Sequence, residues 1–237
     1  MPSLLVLGAR HLGGAIVDRF AARGYEIAAV SLGRSTAERV LERHPEALAL
    51  TADVSNPSQI EDVRDTVLDR FGNIDVAVNA VSPVRSGGVA GGPITELSAD
   101  AVEPYTNGLI PAVYHLIRVI GGSMSDRGRG SLIQVTGGSA RRAMPARGPW
   151  AAAAFATRAL IHAAAQELRS QGVHTALLIV DGIIESDKTE HLLKDKPDEA
   201  SASHDDVVDA VEYLVSQSPR GWTHELTLTP IGDRWLP

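Results

Sequence analysis

The chain has no cysteine, which excludes disulfides, thiolate metal sites and cysteine nucleophiles, and fits a reducing cytosol. It also has no lysine between Met1 and Val180. Basic residues are in deficit, 22 against 29 acids, for a net charge of −7. That balance argues against a nucleic-acid partner or an anionic membrane surface. No apolar run approaches the ~20 residues that a membrane span requires. No basic segment precedes an apolar stretch with a cleavage site, so no signal peptide is expected and the expected location is cytoplasmic. What is present is 44% hydrophobic and 22% charged over 237 residues, the profile of a globular chain. The length suits one large α/β domain spanning 1–237. The abundance of alanine, arginine and glycine suggests a GC-rich bacterial source.

Short apolar runs alternate with longer amphipathic ones. Strands are predicted at 3–7, 26–31, 47–51, 74–79, 131–136, 173–180 and 225–229, and helical segments at 12–23, 36–44, 57–71, 98–127, 150–171 and 204–216. This alternation predicts a doubly wound Rossmann fold, with about seven mostly parallel strands and helices on both faces. Ligands of such sheets sit beyond the carboxyl ends of the strands. The loops at 8–14, 80–93 and 137–149 each follow a strand and are the candidate functional loops. A fourth, 183–203, is long and charged, and reads equally as a solvated linker or as a lid over a pocket.

The first loop reads Gly8-Ala9-Arg10-His11-Leu12-Gly13-Gly14. Glycine lets the backbone turn and lets a pyrophosphate approach, and the helix that follows offers unpaired N–H groups and a positive dipole end. Asp53-Val54 follows the third strand and Asn79 ends the fourth. With these residues in these places, the chain resembles the short-chain dehydrogenase/reductase family over nearly its whole length. In that resemblance Gly8 and Gly14 match the first and last glycines of the family's loop, while Leu12 stands at the middle one. Asp53 falls where the family's aspartate contacts adenine. Asn79-Ala80-Val81-Ser82 keeps only the first residue of the family's Asn-Asn-Ala-Gly. The candidate cofactor residues are therefore Gly8, Arg10, His11, Leu12, Gly14, Ser31, Arg34, Asp53, Val54 and Asn79. An acid at the end of the second strand would bind the ribose 2′-hydroxyl of NAD. This strand ends Val30-Ser31-Leu32-Gly33-Arg34 without one. Arg10, Ser31 and Arg34 could instead surround a 2′-phosphate, because guanidinium matches phosphate geometry. NADP(H) is thus expected over NAD(H), and the possibility that neither binds stays open.

The same resemblance implies a serine after the fifth strand, a tyrosine proton donor, and a lysine one helical turn beyond it that lowers the phenol's pKa. The chemistry is sound, since a phenol near pKa ~10 needs an adjacent cation to act near neutrality. At those positions stand Gly137, Trp150 and Ala154. The register is checked downstream, where Ala164-Ala165-Gln166-Glu167-Leu168 aligns with the family's Leu-Ala-x-Glu-Leu. The enoyl-reductase spacing would put Arg147 at the tyrosine and again Ala154 at the lysine. Asn107 fits the family's asparagine, and Asp181-Gly182 replaces its Pro-Gly. An indole does not release its proton usefully, and alanine cannot hold a ribose hydroxyl. The candidate catalytic residues are Asn107, Ser139 and Trp150, with Arg141, Arg142 and Arg147 as anion-binding groups. Trp150 either fills the emptied pocket or stacks on a nicotinamide or aromatic substrate. His115 is read as buried at a helix interface rather than catalytic.

Two function classes follow. One is an atypical reductase that binds NADP(H) and acts on a small-molecule substrate. The other is a non-redox descendant, such as a cyclase, lyase or ligand-binding module, or a subunit partner that has retired from catalysis. No metal is expected. The alanine-rich helix after Trp150 permits close helix packing, and the family builds its subunit interface from that helix and the Asn107 helix, so a homodimer or homotetramer is expected.

Overall fold

The computed structural model describes residues 1–81, 91–187 and 189–233. The loop expected to be functional at 80–93 lies largely outside the described residues, as does Ser82. The chain runs β1 (Ser3–Leu7), α1 (Leu12–Ala22), β2 (Glu26–Ser31), α2 (Arg34–Arg43), β3 (Leu48–Thr51), α3 (Pro57–Phe71) and β4 (Val76–Asn79). After a broken helical region come β5 (Gly130–Gly137), α6 (Gly148–Arg169) and β6 (Val173–Val180). The broken region contains α4 (Ile110–His115) and α5 (Gly122–Arg127). The C-terminal part holds β7 (Ile183–Ile184), α7 (Glu190–Leu193), β8 (Ser201–Ala202), α8 (His204–Ser216) and β9 (Glu225–Leu228).

Seven strands form one sheet in the order β3-β2-β1-β4-β5-β6-β9, and every neighbouring pair is parallel. Strand residues alternate faces. Leu5, Leu7 and Ala77 therefore pack with Ile60, Val63 and Val67 of α3 and Ala153, Ala154 and Ile161 of α6. Leu4, Val6 and Val78 pack the other way, with Ile16, Val17 and Phe20 of α1 and Val207, Val208 and Val211 of α8. β1 and β6 are buried along their whole length, as expected for parallel strands covered on both sides. Each fully buried Leu or Val stabilises this two-sided core by about 1.5–3 kcal/mol. The doubly wound expectation is met.

Local signals explain the helix ends. Asn56 caps α3 by accepting from the N–H groups of Ser58 and Gln59, Pro57 opens the helix, and Gly72 closes it at φ +76°. Ser203 and Asp206 form a reciprocal capping box at the start of α8.

The long helical region expected at 98–127 is present, but it is not regular α-helix throughout. It begins as a 3₁₀ turn at Ala99–Val102 and becomes π-helical at Tyr105–Leu109 and again at Leu116–Gly121. Pro104 and Pro111 lie in this stretch. Each lacks an N–H and crowds the carbonyl one turn back, which breaks a regular α-helix. The segment 183–203 is not a structureless loop either. β7 and β8 pair in parallel and Glu185 N–H donates to the Ala202 carbonyl at 3.0 Å, with the short α7 between the two strands.

Candidate functional site

β1 lies between β2 and β4, so the chain winds one way from β1 to β2 and crosses to the other side before β4. The crevice at such a switch point is where doubly wound sheets bind ligands. Here the loops after β1 and β4 touch. Gly8 has φ +87°, and a Cβ on it would stand 2.9 Å from both the Ala80 carbonyl carbon and the Val81 nitrogen. Its N–H donates to the Val30 carbonyl at 2.9 Å, which pins the turn to β2. A Cβ on Gly13 would overlap the Gly8 carbonyl oxygen. A Cβ on Gly14 would meet only the Ala9 oxygen at 3.4 Å and the tip of Arg43 at 3.5 Å, an ordinary contact. The sterically required pair is thus Gly8 and Gly13. Sequence matching favoured Gly14, although Gly13 stood in the same loop. Among the described residues no side chain caps α1, and its first turn holds no acid. His11 and Leu12 are part-buried at this end, and Arg10 projects exposed from the loop.

The remaining candidate cofactor residues sit around that crevice with partners of their own. Ser31 is buried at the end of β2, and its hydroxyl donates to the Gly33 carbonyl at 2.9 Å. Arg34 opens α2 and points outward, paired with Glu38 at 3.0 Å. Asp53 accepts from the N–H and hydroxyl of Ser55 at 3.0 and 2.6 Å, while Val54 beside it is core. Asn79 is fully buried; its amide donates to Gln134 at 2.8 Å and its oxygen accepts from Val81 N–H at 3.0 Å. It ties β4, β5 and the β4 loop together.

At the carboxyl ends of β5 and β6 the structure brings Gly137 and Trp150 together. A Cβ on Gly137 would lie 3.8 Å from the Trp150 ring and 3.9 Å from the Val180 oxygen. The Trp150 ring is half-buried and meets Tyr105 edge-on, with centroids 5.9 Å apart. Ala154, one turn further along α6, is fully buried in the core. The neighbouring Gly138 is also committed, since a Cβ there would overlap the Asp181 carboxylate. Asp181 is 3% exposed; one oxygen pairs with Arg142 at 3.0 Å, and the other is buried without a hydrogen-bond partner among the described residues. Ser139 lies buried in the short turn Gly138–Ala140 after β5. Arg141 donates to Thr227 at 3.3 Å, and Arg147 is exposed just before α6.

Asn107 is exposed on its π-helical turn, with its oxygen 3.4 Å from the Thr106 hydroxyl. Tyr105, two residues earlier and 3% exposed, is the residue of that turn facing Trp150. Sequence reasoning passed over it. Its helical spacing from Leu109, Ala112 and Val113, all buried, was the available signal. His115 is part-buried, its Nδ1 has no hydrogen-bond partner among the described residues, and burial followed by the nearby Arg118 holds its pKa below the usual histidine value, so the ring is neutral at neutral pH. Among the described residues no cluster of His, Asp or Glu could hold a metal, and no helix is long and apolar enough to cross a membrane.

Comparison with known proteins places this geometry. The family model described as short chain dehydrogenase matches residues 3–197. An uncharacterized oxidoreductase of Staphylococcus epidermidis is 22% identical over 224 residues, covering 93% of each chain. A 3-oxoacyl-[acyl-carrier-protein] reductase of the same species is 25% identical over 232 residues, covering 92% of this chain and 93% of the relative. The crystal structure of an alcohol dehydrogenase from the archaeon Thermococcus sibiricus, complexed with 5-hydroxy-NADP, superposes with a TM-score of 0.81 at 22% identity and full coverage of both chains. With this fold, this glycine turn at the switch point and a family match across most of its length, the chain belongs to the short-chain dehydrogenase family.

Proposed function

We propose that the chain binds a nicotinamide dinucleotide, NADP(H) in preference to NAD(H), as an atypical oxidoreductase whose usual proton-transfer unit has been replaced. The observation that carries this reading is the cradle at the switch point. Gly8 and Gly13 have neighbouring backbone where side chains would be, and the amide end of α1 stands uncapped beside them. Such a cradle fits a pyrophosphate. Gly8, Gly13 and the first turn of α1 would hold the pyrophosphate, and Asp53 and Val54 would flank the adenine. The absence of an acid at the end of β2 favours the phosphorylated dinucleotide. The relative from Thermococcus sibiricus carries an NADP derivative, which supports this ligand class.

A bound nicotinamide would supply hydride chemistry at the carboxyl ends of β4 and β5. The chain's own groups there do other work. Trp150 and Tyr105 form an aromatic wall that excludes water and can face a planar ring. Thr136 and Ser139 are hydroxyls that flank the position of the family's serine, Gly137, along the chain. Gly137, Trp150 and Ala154 offer no ionisable proton donor, so a reaction at this site calls for an activated substrate and a proton from water or Ser139. A second reading, a subunit that has left redox chemistry, is favoured by the complete burial of Ala154 in the core, where a lysine would need space and solvent.

Titrating the purified protein with NADPH and NADH, followed by calorimetry or tryptophan fluorescence, tests the proposal. Micromolar binding is expected. No binding of either dinucleotide at millimolar concentration would overturn it.

A further inference from the structure

The 183–203 segment leaves the sheet at the end of β6 and leads into α8. Little apolar surface supports it. Among the described residues from 185 to 200 none is buried, and α7 buries no side chain. The segment is therefore held by backbone and polar contacts rather than by an apolar anchor. Its base is closed by the β7–β8 pairing; within it Thr189 donates to the Ile184 carbonyl at 2.7 Å and Ser201 donates to Glu185 at 2.8 Å. A unit with so few buried contacts opens at a low free energy.

A second set of contacts reaches it from the far end of the chain. After β9 the residues Pro230–Asp233 meet both feet of this excursion. At the outgoing foot Pro230 lies on Gly182, so closely that a Cβ on Gly182 would stand 2.6 Å from the ring Cδ. At the returning foot Gly232 N–H donates to the Glu199 carbonyl at 2.9 Å. A Cβ on Gly232 would stand 2.8 Å from that oxygen and 3.0 Å from the Ala200 Cα. Glycine at 182 and 232 is what lets the two segments approach this closely. Asp233 N–H donates to the Pro230 carbonyl at 3.0 Å, which folds the tail into a turn. Ile231, between the two contact points, is 88% exposed. The outgoing foot also borders the candidate site, because Gly182 follows Asp181, whose carboxylate lies against Gly138.

We propose that Pro230–Gly232 is a strap that holds the 183–203 excursion down, and that release of the strap opens this side of the crevice at the carboxyl end of β6. One hydrogen bond and two close contacts make a fastening weak enough to be reversible. The proposal does not rest on the dinucleotide reading, and its test uses no nucleotide.

The sequence supplies the assay. All three lysines of the chain, Lys188, Lys194 and Lys196, lie in this excursion, and no arginine does. A lysine-specific endoproteinase therefore reports on the excursion alone. An arginine-specific one, read by mass spectrometry at Arg19 within α1 and Arg158 within α6, reports on opening of the body of the fold. The wild type, Gly232→Val and Ile231→Ala are digested with each under native conditions. Valine at 232 meets the Glu199 backbone and should lift the strap. Lysine cleavage should then run about tenfold faster, because cleavage follows the open population. Cleavage at Arg19 and Arg158 should not change, and Ile231→Ala should match the wild type in both digests. Equal lysine cleavage in the wild type and Gly232→Val would overturn the proposal. So would a matching rise at Arg19 and Arg158, which would make the opening global, or an Ile231→Ala variant as fast as Gly232→Val. A wild type cut at its lysines as fast as the urea-unfolded chain would also end it, since the strap would then hold nothing.

Discussion

Adjacent glycines at 13 and 14 should respond to alanine in opposite ways, and the reason is visible in the first turn of α1. A Cβ at 13 would overlap the Gly8 carbonyl oxygen and lie 3.2 Å from Val6 Cγ1. The obstacle is backbone, and it has nowhere to retreat. Gly8 is held by its bond to Val30, and its carbonyl accepts Arg10 N–H at 2.9 Å, while its own α-carbon faces Ala80 at close range. Alanine at 13 therefore forces α1 to lift from β1 and loosens Ile16, Val17 and Phe20, all buried. Overpacking of this kind costs about 1–3 kcal/mol, and the intrinsic helix gain of alanine over glycine offsets only about 1 kcal/mol. At 14 the contacts are 3.4 and 3.5 Å, and the latter is the movable end of Arg43, so the helix gain should survive. The helix gain is common to both variants, so Gly13→Ala should be less stable than Gly14→Ala by roughly 1–3 kcal/mol. Urea denaturation followed by circular dichroism, with slopes compared to exclude a change in the unfolded state, reads the difference directly. If Gly14→Ala loses as much stability as Gly13→Ala, the steric reading of this turn is wrong.

Two further outcomes follow from other parts of the molecule. His174 is buried and stacked on Trp222 at 5.1 Å, with Nε2 2.9 Å from the Thr223 carbonyl oxygen. Burial holds its pKa below the ordinary histidine value of 6.5, so the unfolded chain takes up a proton more readily than the folded one. Stability should be full above about 6.5 and fall as pH drops below that value toward the depressed folded-state pKa. His174→Gln should flatten this slope, and an equally steep slope in the variant would remove His174 as its source. On α6, Ala152, Phe155, Ala159 and Ala163 form an exposed apolar stripe, and Phe155 is 42% exposed. We propose that a second copy of the chain covers it. Sedimentation should give a dimer or tetramer for the wild type and a smaller species for Phe155→Glu; a wild type that runs as a monomer at tens of micromolar would refute this.

The division between sequence and tertiary structure follows from the range of the interactions involved. Strand and helix alternation, the two-faced packing and the glycine turn depend on periodicity and on backbone freedom, both written locally. They put Gly8 in the loop at the switch point, while the neighbourhood of Gly137 and Trp150 is legible only through the family resemblance. The π-helical stretches at Tyr105–Leu109 and Leu116–Gly121 are not encoded by the local apolar pattern. Nor does that pattern show that Tyr105 meets Trp150. Arg34 and Arg39 show the limit most plainly. Five residues apart on α2, they are equal candidates as letters, and Arg34 is nearer the strand. Arg34 pairs locally with Glu38 one turn along α2, whereas only the fold brings Arg39 to the same open cavity as Arg10. Long-range charge pairing is decided by which side chains the packed chain brings within a few ångströms, so the sequence alone determined what kind of sheet and crevice this protein has, and the tertiary structure decided which distant charges meet, as Arg19 meets Asp205, Asp209 and Glu212.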